Sequence, residues 1–397
     1  MKQDWSKTFL MDIASVSTGK WDANHATENG EYRFYTCAYD YSYCDTKRFE
    51  GECLILPGNG VNVGEVFYYD GEFDAYQRTY VISDIKILPM FLHYHMQLHW
   101  RSLGTKKQYG SATNFIKIGN FKEYEVEYPP LPEQQRIVSI LDKAFAAIDK
   151  AKANAEQNLK NAKELFESYL QGVFEKKGNG WEEKPLINLT TKIGSGATPR
   201  GGQKSYKTEG ISLVRSMNVH DSEFRKKNLA FIDEQQAKAL DNVTLQENDV
   251  LLNITGASVA RCCVIPKGYL PARVNQHVSI IRANKEIIDP IFLNLLLTSK
   301  YYKDQLLFTG EQGATRQAIT KAQIEVFKID FPSLEVQKTI VQQLDALRAK
   351  TQKMEAIYQK KIADLEELKK SVLQKAFAGE LKVSELGWVG LRMIRLK

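Results

Sequence analysis

The chain has 397 residues and a mass of 45.3 kDa, which predicts two or three compact domains. Hydrophobic residues make up 43% of it, with 19 Tyr and 18 Phe, and this excludes global disorder. A net charge of +6 and a pI near 8.8 permit a polyanionic partner without requiring one.

Five cysteines, Cys37, Cys44, Cys53, Cys262 and Cys263, form no CxxC pair. Cys262 and Cys263 sit in an apolar run and read as buried thiols, so a reducing cytoplasm and no structural zinc are expected. The N-terminal stretch Met1-Lys2-Gln3-Asp4-Trp5 lacks an apolar signal core, and no run reaches the length of a membrane span.

The first segment, to about Tyr128, reads as short mixed α/β elements. Phe49 to Leu56 followed by Gly58-Asn59-Gly60 reads as turn, strand, turn; Tyr80-Val81-Ile82 is a strand and Met90 to Trp100 a helix. His95 and His99 have metal-ligand spacing, but no carboxylate or Cys stands nearby, so His93, His95 and His99 are expected on an aromatic core face.

A helix then opens at Pro129-Pro130-Leu131-Pro132-Glu133, with Pro132 suited to the first turn and Glu133 to the N-terminal dipole. Its apolar positions run Ile137, Leu141, Ala144, Ile148, Ala151, Ala155, Leu159, Ala162, Phe166, Tyr169, Val173, a coiled-coil seam with one doubled step of four at Ala155-Leu159. Gly178-Asn179-Gly180 is the predicted terminator.

The second globule, Trp181 to Asp330, repeats features of the first. Trp181 with Leu186-Ile187 echoes Trp5 with Leu10-Met11, and Val250-Leu251-Leu252 then Gly256 parallels Leu54-Ile55-Leu56 then Gly60. The short Leu293–Leu297 run predicts a core helix. A second long helix follows, with the seam Ile340, Leu344, Leu347, Thr351, Met354, Tyr358, Ile362, Leu365, Lys369, Val372, Ala376 and the doubled four at Tyr358-Ile362.

From Pro129 to Phe174 the second helix repeats the first at an offset of 203 without a gap, whereas the globule starts repeat at 176, so the second globule is 27 residues longer. Helices of about 45 residues are too long to cover one globule, so they are expected to pair, antiparallel. Trp388 with Met393-Ile394 has the spacing of Trp181 with Leu186-Ile187, so the tail is read as the start of a third copy or as a frayed basic end.

Chemistry is mostly missing. Gly196 to Ser205 lacks the Gly-Lys step of a phosphate loop, Gly58-Asn59-Gly60 with Gly64 is no dinucleotide loop, and no adenosylmethionine loop or Asn-Pro-Pro-aromatic tetrad occurs. His220-Asp221 has no nucleophile to serve. What remains is a recognition surface of loop residues suited to base edges and phosphates. In the first globule these are Lys20, Asn59, Asn62, Tyr76, Gln77, Arg78, Ser111, Thr113 and Asn114. In the second they are Ser195, Thr198, Arg200, Lys204, Arg215, Asn218, Arg261, Asn275, Gln276, His277, Thr315, Arg316 and Gln317, any of which alone also reads as a solvated loop residue or turn cap.

The order globule, helix, globule, helix, with Leu131-Pro132-Glu133-Gln134-Gln135-Arg136-Ile137-Val138 opening the first helix, resembles a specificity subunit of a type I restriction–modification system. Leu334 to Val341, the closing Leu373 to Leu381, Gly313 to Ile319 and Tyr35-Thr36-Cys37 through Gln77-Arg78-Thr79-Tyr80 are similar to segments of that family. The resemblance covers nearly the whole chain. It implies an α+β fold of two mixed α/β target-recognition domains, 1–128 and 179–330, alternating with two conserved helices, 129–178 and 331–382, that pair as an antiparallel coiled coil in a pseudo-two-fold repeat, before a tail at 383–397.

It further implies that each domain reads one half of a split, asymmetric double-stranded DNA site, that the helices set the spacing, and that they dock two methyltransferase subunits. Adenosylmethionine, ATP and magnesium would then belong to those subunits and to a motor–nuclease subunit, leaving this chain cytoplasmic, without a membrane partner, catalysis or a metal. A coiled-coil scaffold binding proteins and a self-sufficient methyltransferase are the rival readings; the missing motifs argue against the latter.

Overall fold

A computed structural model describes residues 4–106, 114–311 and 318–381. The chain divides into two compact units, Met1–Gln157 with Tyr358–Lys397, and Asn158–Ile357. Each unit therefore owns one globule and one half of each long helix.

The first unit contains strands β1 (Ser6–Phe9), β2 (Ser15–Thr18), β3 (Tyr32–Tyr35), β4 (Ser42–Cys44), β5 (Glu52–Pro57), β6 (Phe67–Asp70), β7 (Phe73–Ala75), β8 (Thr79–Ser83) and β9 (Glu125–Tyr128). They form an antiparallel pair β1-β9, an antiparallel sheet β2-β8-β5-β6, and a sheet β4-β3-β7 in which β3 and β7 run parallel. β5 is apolar along its length because both its faces are covered. Leu54 and Leu56 face a core with Phe91, Trp100 and the long helices, while Cys53 and Ile55 face Tyr35, Phe73 and Ala75 of the smaller sheet.

The second unit repeats this with β10 (Glu182–Pro185), β11 (Thr190–Ser195), β12 (Ile211–Val214), β13 (Val219–His220), β14 (Glu223–Phe224), β15 (Ala230–Ile232), β16 (Val250–Asn253), β17 (Cys262–Val264), β18 (Ala272–Val274), β19 (Val278–Ala283) and β20 (Lys328–Phe331). The pair β10-β20, the sheet β11-β19-β16-β17 and the sheet β15-β12-β18, with β12 parallel to β18, match the first unit one for one. Part of the extra length is the hairpin β13–β14 and the short helix Glu234–Lys238. The Leu293 run lies in the buried helix Pro290–Thr298, whose N-cap Asp289 accepts the N–H groups of Ile291 and Phe292.

Residues matched by the repeat occupy equivalent places. Leu10 N–H donates to Tyr124 O at 2.8 Å, and Leu186 N–H donates to Phe327 O at 2.9 Å. Trp5 and Phe377 both pack on Phe91, just as Trp181 and Phe174 both pack on Phe292.

The long helices run Leu131–Lys176 and Leu334–Ala378 without a break. They pair antiparallel: in the first unit Lys152 meets Glu366 at 2.6 Å and Asp149 meets Lys369 at 2.8 Å, and in the second Tyr169 meets Gln343 at 3.3 Å. A cation–aromatic contact recurs with its partners exchanged. Lys369 Nζ lies 4.8 Å from the Phe145 ring in one unit, and at the corresponding positions Arg348 lies 4.7 Å from the Phe166 ring in the other.

Two expectations for the helices are corrected. The seam holds from Ile137 to Ala162, but Tyr169 and Met354 are exposed, and Leu170 and Phe174 are buried instead of Tyr169 and Val173. Near its end the helix also meets the globule, where Phe174 packs on Phe292, and this swings its buried arc off the coiled-coil line. The first helix ends in a left-handed residue, but that residue is Lys177 (φ 39°) and not a glycine; its ammonium pairs with Asp330 at 2.6 Å, which offsets the backbone cost. The second helix does end on a left-handed glycine, Gly379 (φ 76°). The tail motif at Trp388 lies outside the described residues.

Candidate nucleic-acid interface

In the sheet β2-β8-β5, antiparallel pairing brings the C-terminal ends of β2 and β5 and the N-terminal end of β8 to one edge. Three loops leave there and interlock. Gly19 donates its N–H to Thr79 O at 3.3 Å, and a Cβ on it would fall 1.6 Å from Ala75 O, so only glycine lets the chains cross. Gly58 donates to Arg78 O and accepts from Ile116 N–H, both at 2.9 Å, while Gly60 donates to Asn114 O at 2.9 Å.

This edge gathers Lys20, Asn59, Asn62, Tyr76, Gln77, Arg78 and Asn114. Lys20, Gln77, Arg78 and Asn114 are exposed; Asn59, Asn62 and Tyr76 are half-buried. Asn59, Gln77 and Arg78 line a cavity of about 360 Å³ with Tyr80 and Phe115. Asn62 donates its amide to Cys37 O at 2.9 Å, and Gln77 donates its own to the Asp22 carboxylate.

The second unit builds the same edge from β11, β19 and β16. Gly196 donates to Asn275 O at 3.1 Å, and a Cβ there would lie 1.8 Å from Val274 O. Ile254 donates to His277 O at 3.0 Å and accepts from Ile319 N–H at 2.8 Å, as Gly58 does with Arg78 and Ile116. Gln276-His277 thus stands where Gln77-Arg78 stands in the first unit. The Thr198 hydroxyl bonds the Gln276 amide oxygen, Gln276 Nε2 lies 3.1 Å from His277 Nε2, and His277 Nδ1 lies 2.6 Å from Thr255 Oγ1. These four side chains form one connected polar strip.

Ser195, Arg200 and Lys204 are exposed on β11 and the loop after it. Arg261 is half-buried at the start of β17, with its guanidinium 3.5 Å from His220 Nδ1. Arg215 is half-buried with its guanidinium 5.3 Å from the Tyr206 ring; it donates to Asn228 O, and its Nε is buried without a partner.

Two residues with base-reading chemistry are placed elsewhere. Asn218 is 0% exposed and its side chain ties a turn together, accepting from Arg215 N–H and donating to Arg225 O at 2.8 Å. Asn275 is buried and its Oδ1 accepts His277 N–H at 3.1 Å. Asn275 thus supports the edge from beneath, and Asn218 supports the turn that carries Arg215. Ser111, Thr113, Thr315, Arg316 and Gln317 lie outside the described residues. Thr255 escapes the sequence reading, although aligning Gly60 with Gly256 carries Asn59 onto it.

The histidine group is packed away from this edge. His95 Nδ1 lies 3.0 Å from the Tyr124 hydroxyl, and both His95 and His99 lie against the Phe377 ring. Burial pushes His93 down to about 4. Among the described residues no three His, Cys, Asp or Glu side chains are grouped to hold a metal ion. Nor, among them, is any helix long and apolar enough to cross a membrane.

Duplicated α+β units, each presenting an interlocked loop edge, together with two paired long helices define a protein built on an internal repeat. The chain belongs to the type I restriction–modification DNA specificity family, whose family model, described as "Type I restriction modification DNA specificity domain", matches residues 2–160 and 178–363. It is 36% identical over 154 residues to the type I restriction enzyme EcoDI specificity subunit of Escherichia coli, covering 39% of this chain and 34% of that protein. To the EcoBI specificity subunit of Escherichia coli it is 26% identical, covering 64% of this chain and 57% of that one. The chain thus spans between a third and three fifths of these two relatives. To the putative MjaX specificity subunit of Methanocaldococcus jannaschii it is 25% identical, covering 81% and 76%.

Two solved structures share the fold. One, from work on complex assembly and conformational transition of the type I R-M system, has a TM-score of 0.73 at 18% identity and covers 96% of this chain and 99% of that one. The other, the HsdS subunit of Thermoanaerobacter tengcongensis, has a TM-score of 0.58 at 17% identity, covering 96% and 98%.

Proposed function

We propose that this chain is the DNA-specificity subunit of a type I restriction–modification complex, each unit reading one half of an asymmetric bipartite site. The observation that carries this is the repetition of one loop edge with different side chains: Gln77-Arg78 in one unit and Gln276-His277 in the other, on the same backbone frame. Arg and Gln reach base edges bidentately, and exposed Lys20, Arg200 and Lys204 supply phosphate contacts, so affinity falls with salt. Different side chains on equal frames read different half-sites.

The paired helices act as the spacer and as the dock for two methyltransferase subunits. Adenosylmethionine, and the ATP and magnesium of a motor–nuclease subunit, sit on those partners in the cytoplasm, and this chain performs no catalysis. The sequence lacks the glycine loop and tetrad of a methyltransferase.

The test is to map methylated adenines in a host carrying this chain with its methyltransferase partners. One asymmetric bipartite motif with a fixed spacer is expected. A continuous or palindromic motif, or methyl transfer by the isolated chain from a labelled donor, refutes the reading.

A further inference from the structure

Trp21 is 43% exposed and sits on the candidate DNA edge of the first unit: it bridges Tyr76, and its carbonyl accepts Gln77 N–H at 2.9 Å. An exposed indole normally samples several rotamers, but this one is fixed from two sides. Its inner face stacks on His25 at 4.1 Å and 5°, and His25 in turn packs edge-on to Phe34, which is fully buried. Its N–H donates to Asp74 Oδ2 at 3.0 Å.

Asp74 is 1% exposed, and a buried carboxylate is costly unless it is fully bonded. It accepts from Trp21, from the Thr46 hydroxyl at 2.7 Å and from Ala75 N–H at 2.8 Å, and Thr46 Oγ1 lies 2.9 Å from His25 Nε2. The carboxylate therefore holds both the indole and, through Thr46, the ring beneath it. In the second unit the place of Trp21 belongs to Thr198, two residues after Gly196 as Trp21 is two after Gly19, and Thr198 is already part of the polar strip.

We propose that Trp21 is a DNA-contacting, specificity-determining residue of the first unit, preset by Asp74, Thr46 and His25 to lay an apolar surface against a thymine methyl at the major-groove edge. The inference rests on the DNA-reading function above. The thymine methyl is the apolar group a base pair shows in that groove. A preset ring contacts it without the entropy loss of ordering a free side chain.

The test selects duplexes from a randomised library with the full chain and its methyltransferase subunits. The wild type should enrich two half-sites. Trp21→Ala should lose the preference for thymine at one position of one half-site and bind the wild-type duplex roughly tenfold more weakly. The other half-site, kept intact, shows that the protein is folded. His25→Ala should weaken the same position, because it removes the support and leaves Trp21 in place. Uracil in place of that thymine should weaken the wild type and leave Trp21→Ala unchanged.

If Trp21→Ala selects the same two half-sites with the same affinity, the inference is wrong and the DNA-reading function stands. If uracil has no effect on the wild type, the thymine assignment is wrong. If the wild type enriches no half-site, the function itself fails and the inference with it. Should Trp21→Ala not fold, an unchanged thymine preference in both His25→Ala and Thr46→Val overturns the proposal.

Discussion

Gln337 Oε1 accepts the backbone N–H of Asp289 at 2.8 Å, and 203 residues before Gln337, Gln134 Oε1 accepts that of Leu88 at 2.9 Å. Each amide also donates to the carbonyl five residues back, Pro332 O and Pro129 O, at 2.8 Å, and both side chains are buried. A single glutamine thus ties the start of each long helix to the N-terminus of its globule's helix. Gln337→Leu leaves those backbone groups unpaired and should cost about 1–3 kcal/mol, read as a lower denaturant midpoint. An unchanged midpoint would show that water replaces the amide.

Lys152 and Glu366, 2.6 Å apart, should hold helix register modestly. Exposed pairs of this kind contribute about 0.2–1 kcal/mol. Lys152→Glu should lower stability by that order and Glu366→Lys added to it should restore most of the loss. A double variant no better than the single one removes the pair from the account.

Gly196 and Gly194 should differ sharply. An added Cβ meets Val274 O at 1.8 Å in the first case and nothing within 4 Å in the second. Gly196→Ala should cost at least about 2 kcal/mol, and Gly194→Ala no more than about 0.5 kcal/mol. Thermal unfolding of the two variants decides it; equal melting temperatures would mean the loop crossing is pliable.

His93 makes stability depend on pH. Its folded value is pushed to about 4 by burial, while the unfolded chain takes the proton near 6.5. Between those values the unfolded state binds more protons, so stability should rise from pH 4 to pH 6.5 and flatten above. The contribution of this side chain is roughly 3 kcal/mol across that window. Unfolding of the wild type and His93→Phe measured at several pH values checks it: equal slopes would sink the assignment.

Thiol reactivity should single out Cys37. It is half-exposed with its Sγ 3.4 Å from Arg78 O, whereas Cys44, Cys53, Cys262 and Cys263 are buried. Burial pushes Cys53 up to about 11 and Cys263 up to about 12, which suppresses their thiolates. A maleimide should modify Cys37 in the native protein and the rest only on unfolding. Duplex DNA should slow the Cys37 reaction, and rapid labelling of any buried thiol would contradict the packing.

The sequence alone determined the repeat, the extent of the long helices and their pairing. Helical periodicity is local: residues three and four apart share a face whatever the rest of the chain does, so the seam from Ile137 to Ala162 and the buried Leu344, Thr351, Leu365, Val372 and Ala376 of the second helix could be read directly. Strand β5 was legible for a similar reason, as an unbroken apolar run between turn residues. Only the tertiary structure decided which loop residues face outward. Asn218 and Asn275 look like base readers and are buried props, while Trp21 and Thr255, not among the candidate DNA contacts, stand on the edge. In a loop, side-chain direction follows from which strands are neighbours and where their ends meet. The crossings at Gly19 and Gly196 set that through contacts 56 and 78 residues apart in the chain. Tyr169 on the seam and Gly178-Asn179-Gly180 as terminator are displaced for the same cause: at the helix end, contacts with the globule, including Lys177 with Asp330, outweigh the local pattern.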